Sequence, residues 1–125
     1  VAKMTAGTPL TDEDRWPWLD RIASALRTIE SSDGNAVLAC SALKEDYRAR
    51  IGAAGDVRFV HLAGDQATIA SRLAGRKHRY MPPSLLASQF ATLERPADAV
   101  EIDVRLPVGR QVDDICTALA VARQP

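Results

Sequence analysis

The sequence predicts an α/β fold in which helices pack against a parallel sheet, and three apolar segments support that prediction. Residues 36–40 form an unbroken apolar run, which is typical of a parallel strand covered on both faces. Residues 58–62 and 99–104 are the second and third predicted strands, and helical segments separate all three. The 125 residues allow one domain, residues 1–125, and a hydrophobic content of 46% is enough for one core.

The first helical segment begins at Thr11, a residue type that caps helices well, and acidic residues follow in its first turn. We interpret Asp12 and Asp14 as partners of the helix dipole rather than as acid–base carboxylates. Pro17 is expected to break this segment and to start a new helix. The new helix has one apolar stripe, which places Trp18 in the core. The stripe consists of Trp18, Ile22, Ala25, Leu26 and Ile29.

Four further helices alternate with the strands. They are predicted over 43–51, from Asp65 onward, over 84–94 and over 109–123. Asp65 is the expected N-cap of its helix. His61 lies inside the second predicted strand, where a structural role is the expected one.

Sixteen basic and sixteen acidic residues cancel, so no overall field attracts nucleic acid or an anionic membrane. No apolar run approaches the roughly 20 residues that a membrane helix needs. Cys40 and Cys116 have no paired spacing, and we interpret them as reduced thiols of a cytoplasmic protein. Because the overall charge is balanced, any phosphate recognition must come from a local group of cations.

One such group follows the first predicted strand. Ser41 stands at its carboxyl end, where ligands of parallel sheets bind, and either donates to a ligand hydroxyl or caps the next helix. Lys44 and Arg48 are four residues apart, so one helical face is expected to project two cations. Contact with a substrate carboxylate or phosphate competes here with pairing to nearby acids such as Glu45.

Two features indicate a piece of a longer protein. No G-x-x-x-x-G-K-[ST] phosphate loop occurs in the 125 residues. The chain also begins at Val1 rather than at a methionine.

Three motifs, taken in order, resemble those of bacterial gluconokinases. They are Lys3-Met4-x-x-Gly7-x-Pro9-Leu10-x-Asp12-x-Asp14-Arg15-x-Pro17-Trp18-Leu19, then Cys40-Ser41-Ala42-Leu43-Lys44-x-x-Tyr47-Arg48, then Met81-Pro82 with Leu85-Leu86-x-Ser88-Gln89-Phe90-x-Thr92-Leu93-Glu94-x-Pro96. The resemblance implies a three-layer P-loop kinase-like fold that moves the γ-phosphoryl group of ATP, with Mg²⁺, onto the 6-hydroxyl of D-gluconate. It also implies that the family's first strand, P-loop, first helix and second strand would precede Lys3.

The resemblance further implies a lid over residues 74–83. Arg72 and Arg76 would stabilise charge on the transferring group, and together with His78 they would bind the nucleotide. A solvated basic helix end is the alternative.

The substrate-binding residues that the resemblance implies are Arg15, Ser41, Lys44 and Arg48. It assigns no general base and no metal ligand within this chain. A missing central strand would leave its neighbours unpaired, so a homodimer or a strand-exchanged oligomer is expected. Two other functions stay open: a non-catalytic module that binds gluconate or pairs with a full-length kinase, and a related small-molecule or nucleotide kinase.

Overall fold

The computed structural model describes residues 11–75 and 83–120. The elements, in chain order, are α1 (Asp12–Ser31), α2 (Glu45–Gly52), β1 (Val60–Ala63), α3 (Gln66–Ala74), α4 (Pro83–Thr92), β2 (Val100–Asp103) and α5 (Val108–Leu119). Helices thus alternate with parallel strands, which confirms the predicted α/β class. The described residues divide into two compact units, 11–57 with 83–95 and 58–75 with 96–120.

In the first unit, α1 is one continuous helix, so the predicted break at Pro17 is wrong. Thr11 caps the helix as predicted: its hydroxyl accepts from the Asp14 N–H at 3.2 Å, and the Asp14 carboxylate accepts from the Thr11 N–H at 2.8 Å. Pro17 removes one helical hydrogen bond, the one that its N–H would give to the Glu13 carbonyl. The reciprocal cap before this gap and the buried Leu19 after it keep the helix intact.

The buried face of α1 differs from the predicted stripe. Its buried residues are Arg15, Leu19 and Ala23, spaced by one helical turn, whereas Trp18 is 40% exposed. The core position predicted for Trp18 is therefore wrong. The reason is that α1 packs against α2, and the face that meets α2 is the one with Arg15 and Leu19.

The core of this unit continues through α2 and α4. Tyr47 and Ile51 are each 2% exposed, which confirms the inward face predicted for α2. The other buried apolar residues of the unit are Leu43, Ala54, Leu85 and Leu86.

Residues 36–40 form no strand, although the sequence predicts one there. Val37 is fully exposed and Leu38 is 47% exposed. A strand needs a neighbour for its main-chain hydrogen bonds, and the sheet of the described residues contains β1 and β2 alone. The prediction of a buried strand is thus wrong for this structure, and the apolar run lies at the surface of its unit.

In the second unit, β1 and β2 pair in parallel, as the second and third predicted strands require. His61 lies opposite Glu101, with its Nδ1 atom 3.5 Å from the Glu101 carboxylate, a position that supports a structural role. Beyond the strands, the Val104 N–H donates to the Ala63 carbonyl at 2.9 Å. Gly64 permits this close approach, because a Cβ atom there would lie 2.5 Å from the Val104 side chain.

Within this unit, one helix follows each strand. Asp65 caps α3 as predicted, since its carboxylate accepts from the Thr68 N–H at 2.7 Å. The α5 helix packs on β2, and the Gln111 side-chain amide donates to the carbonyls of Val104 at 3.1 Å and Leu106 at 2.7 Å. None of the helices in the described ranges combines the length and apolar character that crossing a bilayer requires.

Candidate functional site

Charged side chains surround the buried ring of Tyr47 where α1 meets α2. We refer to Asp12, Arg15, Lys44 and Tyr47 as the Tyr47 cluster. The Tyr47 hydroxyl donates a hydrogen bond to the Asp12 carboxylate, which also accepts from Lys44 Nζ at 3.2 Å. The Arg15 guanidinium carbon lies 5.1 Å from the centre of the Tyr47 ring, and Lys44 Nζ lies 5.7 Å from it. One aromatic ring thus brings together two of the predicted substrate residues, Arg15 and Lys44.

The four residues of the cluster carry one net positive charge, and the Glu94 carboxylate is close enough to Lys44 to help raise the pKa of Lys44. The hydrogen bond from Tyr47 and then that from Lys44 lower the pKa of Asp12, so its carboxyl group is ionised. The hydrogen bond to Asp12 raises the pKa of Lys44, while burial, and next the same carboxylate, raises the pKa of Tyr47. Arg15 is always charged. At neutral pH the cluster therefore contains two cations, one anion and a neutral phenol.

Arg15 has an unused donor. The residue is 9% exposed, and its buried Nε atom finds no hydrogen-bond partner among the described residues. Leaving such a group unpaired costs free energy, on the order of 1 to 3 kcal/mol or more for a charged group. A carboxylate or phosphate group offers the acceptor that a guanidinium binds best.

The loop before α2 contains a strained residue. Ala42 has a φ angle of 37°, in the left-handed region that non-glycine residues rarely adopt, at a cost of roughly 1 to 3 kcal/mol. Ser41, next to it, is exposed. Lys44 is the N-cap residue of α2, so the alternative in which Ser41 caps this helix is wrong. Its other predicted role, donation to a ligand hydroxyl, stays a prediction.

Arg48 does not project beside Lys44 from an exposed face. Its side chain is 6% exposed and points into the unit. Its acceptors are the carbonyl oxygens of Ala42 (2.8 Å), Leu43 (3.2 Å) and Glu94 (2.7 Å) and the carboxylate of Glu45 (3.1 Å). Pairing with Glu45, the alternative to a direct substrate contact, is therefore present.

The predicted nucleotide residues fall in the second unit or outside the described residues. Arg72 is exposed on α3. The hydrogen bonds from Arg105, one of them 2.9 Å long, and to a lesser degree the charge of Arg72 together lower the pKa of Asp103 to about 2. Arg76 and His78 lie outside the described residues, as does most of the predicted lid.

A magnesium site is not formed by the described residues alone. Within 11–75 and 83–120 no three or more His, Cys, Asp or Glu side chains gather where they could hold a metal ion. The described residues therefore do not supply the ligands that Mg²⁺ needs, and no step of the reaction is assigned to the ion.

Two members of the Tyr47 cluster have roles that the sequence does not predict. Asp12 is more than a partner of the helix dipole, and Tyr47 is more than a core residue. The available signal was the phenol, because the hydroxyl of an inward-facing tyrosine needs a hydrogen-bond partner. The sequence does not indicate which of the nearby acids provides it.

Comparison with known proteins identifies relatives over most of the chain, although no protein-family model matches it. The chain is 36% identical over 129 residues to the thermosensitive gluconokinase of Escherichia coli K12, an alignment that covers 99% of the chain and 69% of that protein. It is 46% identical over 101 residues to the gluconokinase of Gluconobacter oxydans 621H, covering 78% of the chain and 56% of that protein. The chain thus spans between 56 and 69% of the length of these two relatives.

Solved structures agree with the sequence relatives. The crystal structure of a sugar kinase from Janibacter sp. HTCC2649 matches with a TM-score of 0.88 and 39% identity, over 97% of this chain and 72% of that one. A gluconokinase from Sinorhizobium meliloti 1021 matches with a TM-score of 0.83 and 39% identity, over 95% and 69%. These likenesses confirm the predicted P-loop kinase-like α/β fold class, and the chain belongs to the gluconokinase family of kinases.

Proposed function

We propose that the natural full-length protein is a carbohydrate kinase that transfers the γ-phosphoryl group of ATP to the 6-hydroxyl of D-gluconate. The products are ADP and 6-phospho-D-gluconate. One observation supports a substrate with an anionic group: Arg15 is buried beside Tyr47, and its Nε donor is unpaired within the described residues. Gluconate is a polyol with one carboxylate, and that carboxylate has the charge and geometry that a guanidinium recognises.

On the substrate side, each residue is proposed to act in a different way. Arg15 binds the carboxylate of gluconate. Lys44, already paired with Asp12, adds positive charge beside it. Ser41 donates to a hydroxyl of the polyol, because its side chain is exposed and does not cap α2. Arg48 acts behind this surface, through the loop that contains Ser41.

On the nucleotide side, Arg72 is proposed to act with Arg76 and His78 of the lid. Arginine side chains near the transferring phosphoryl group stabilise the charge that develops on it. The bond between the gluconate 6-oxygen and the γ-phosphorus forms, the bond to the leaving ADP oxygen breaks, and the hydroxyl proton is released. No residue of this chain is assigned as the base. Mg²⁺ is expected to accompany ATP.

The setting of the reaction is proposed as well. The chain by itself is expected to lack turnover, because it contains no Walker A loop to bind the phosphates. Cys40 and Cys116 are free thiols, which supports a reducing compartment, the cytoplasm, as the site of action. The proposed partner is the small-molecule substrate, and a homodimer or strand-exchanged oligomer is the proposed assembly.

A substrate panel tests this proposal. We expect the purified natural protein to phosphorylate D-gluconate with Mg-ATP, and to leave other sugar acids, polyols, shikimate and nucleoside monophosphates largely unchanged. Turnover of one of those compounds and none of gluconate would indicate a related kinase instead. Gluconate binding in calorimetry, without turnover of any compound, would indicate a binding module.

Substitution of Arg15 tests the carboxylate contact separately. Arg15→Ala should raise the KM for gluconate by about tenfold or more, since a charged hydrogen bond is lost. Arg50→Ala is the matched control, because Arg50 is an exposed arginine that pairs with Asp20 in the same unit. An unchanged KM in folded Arg15→Ala would show that the carboxylate binds elsewhere.

A further inference from the structure

The substrate loop, residues 41–44, is held by hydrogen bonds to Glu94, a residue far away in the sequence. Glu94 follows α4, and three hydrogen bonds link it to this region. Its N–H donates to the Leu43 carbonyl at 2.7 Å, and its carbonyl accepts from Arg48 at 2.7 Å. Its carboxylate accepts from the Glu45 N–H at 2.8 Å. Glu94 thus contacts the loop through its main chain and the first residue of α2 through its side chain.

The carboxylate of Glu94 replaces a missing helix cap. Lys44 occupies the N-cap position of α2 but makes no side-chain cap hydrogen bond. The free N–H groups of the first helical turn need acceptors, and a negative charge suits this end of the helix. Glu94 supplies both from another part of the chain, so the start of α2 depends on it.

Arg48 holds the same loop from the inside. Its Nη1 atom donates to the carbonyls of Ala42 and Leu43, and its Nη2 atom donates to Glu94. The planar fork of an arginine reaches several carbonyls at once, which an ammonium group does not. Ala42 has a φ angle of 37°, and a strained residue persists only where its surroundings impose the conformation.

We propose that Arg48 and Glu94 are positioning residues for gluconate: they impose the strained conformation of Ala42 and so present Ser41 and Lys44, on either side of it, to the substrate. Neither side chain touches gluconate. The inference rests on the proposed function, and it gives Arg48 an indirect role in place of direct contact.

The test compares Glu94→Ala with Glu94→Gln in the natural full-length protein. Glutamine keeps an oxygen that accepts from the Glu45 N–H, and alanine does not. We expect Glu94→Ala to raise the KM for gluconate severalfold, with the KM for ATP and the circular dichroism spectrum unchanged. Glu94→Gln should restore the wild-type KM. Hydrogen exchange at residues 42–45 should speed up in the alanine variant alone.

Arg48→Lys provides a second route, with Arg50→Ala as the control on the same helix. We expect the lysine variant to raise the KM for gluconate and the control to leave it unchanged. Wild-type KM values in both folded Glu94→Ala and folded Arg48→Lys would overturn the positioning role while leaving the proposed function intact. Equal changes in the KM for gluconate and for ATP would overturn it too. Absence of gluconate turnover in the unaltered protein would overturn the proposed function, and the positioning role with it.

Discussion

The hydroxyl of Tyr47, on α2, donates a hydrogen bond to the carboxylate of Asp12, the first residue of α1. The tyrosine ring is buried, and its edge meets the ring of Trp16, with the centroids 5.6 Å apart and the planes at 78°. Arg50 lies against Trp16 rather than Tyr47 in this pair, with its guanidinium carbon 4.5 Å from the Trp16 ring centre. The Tyr47 side chain thus packs α1 and α2 together and orders the charges of the cluster.

Removing the hydroxyl alone separates these two roles. Tyr47→Phe should lower the free energy of unfolding by about 1 kcal/mol, the net value of one hydrogen bond. Tyr47→Ala should lower it by roughly 3 to 5 kcal/mol, because it also empties a large buried volume. Urea unfolding of both variants measures the difference. In Tyr47→Phe the pKa of Asp12 should rise toward its ordinary value, as followed by NMR titration. A wild-type pKa in that variant would contradict the assignment of the bond.

Arg72 is predicted to act on the transition state. In the natural protein, Arg72→Ala should lower kcat by about a hundredfold to a thousandfold, the range expected when one donor to a developing charge is lost. The KM for gluconate should change much less, because the interaction would form during transfer. Arg110→Ala is the matched control, since Arg110 is an arginine in the same unit that pairs with Asp114. Steady-state kinetics in which both variants match the wild type would make Arg72 a solvated surface residue.

Asp103 should make the protein sensitive to acid. Its folded pKa is lowered to about 2 from an ordinary 3.8, chiefly by the hydrogen bond from Arg105. Because the pKa of Asp103 is lower in the folded state than in the unfolded chain, the ionised carboxylate stabilises the fold at pH values above the unfolded pKa. This stabilisation is lost as the pH falls from about 4 to about 2. Asp103→Asn should therefore lose less stability than the wild type between pH 6 and pH 3. Urea unfolding midpoints at pH 6 and pH 3 measure these losses. Arg105→Gln should behave like Asp103→Asn, because it removes the hydrogen bond that lowers the pKa of Asp103. Equal acid losses in all three proteins would refute it.

The chain by itself should associate with a second copy. Val37 and Leu38 are exposed in a segment that lacks strand partners among the described residues, and such apolar segments pair readily between molecules. Size-exclusion chromatography with light scattering should show dimers or larger species, and Val37→Lys should reduce them. Val108→Lys is the control, because Val108 is also exposed but lies at the start of a helix. A stable monomer would contradict this prediction, and tight binding of Mg-ATP by it would show that the chain binds the nucleotide phosphates without a Walker A loop.

Local signals in the sequence determined much of the fold. The capping residues Thr11 and Asp65 mark helix starts correctly, because capping depends on residues three positions apart. The strands that became β1 and β2 were also predictable, since apolar runs between helical segments indicate a parallel sheet. The apolar run over 36–40 was not sufficient, because a strand exists only where a neighbour accepts its hydrogen bonds.

The site depended far more on tertiary structure. The sequence and its family motifs select Arg15, Ser41 and Lys44 as candidates, because charge and residue type are visible without coordinates. Only the packing of α1 on α2 determined that Arg15 is buried with a donor that finds no partner in residues 11–75 and 83–120. Only the approach of Glu94 determined that Arg48 faces main-chain carbonyls. Contacts between residues 46 or 49 positions apart, as for Glu94, leave no periodic pattern in the sequence. Their geometry follows from how whole helices pack, so the three-dimensional structure alone decides which charges face a ligand and which support the chain.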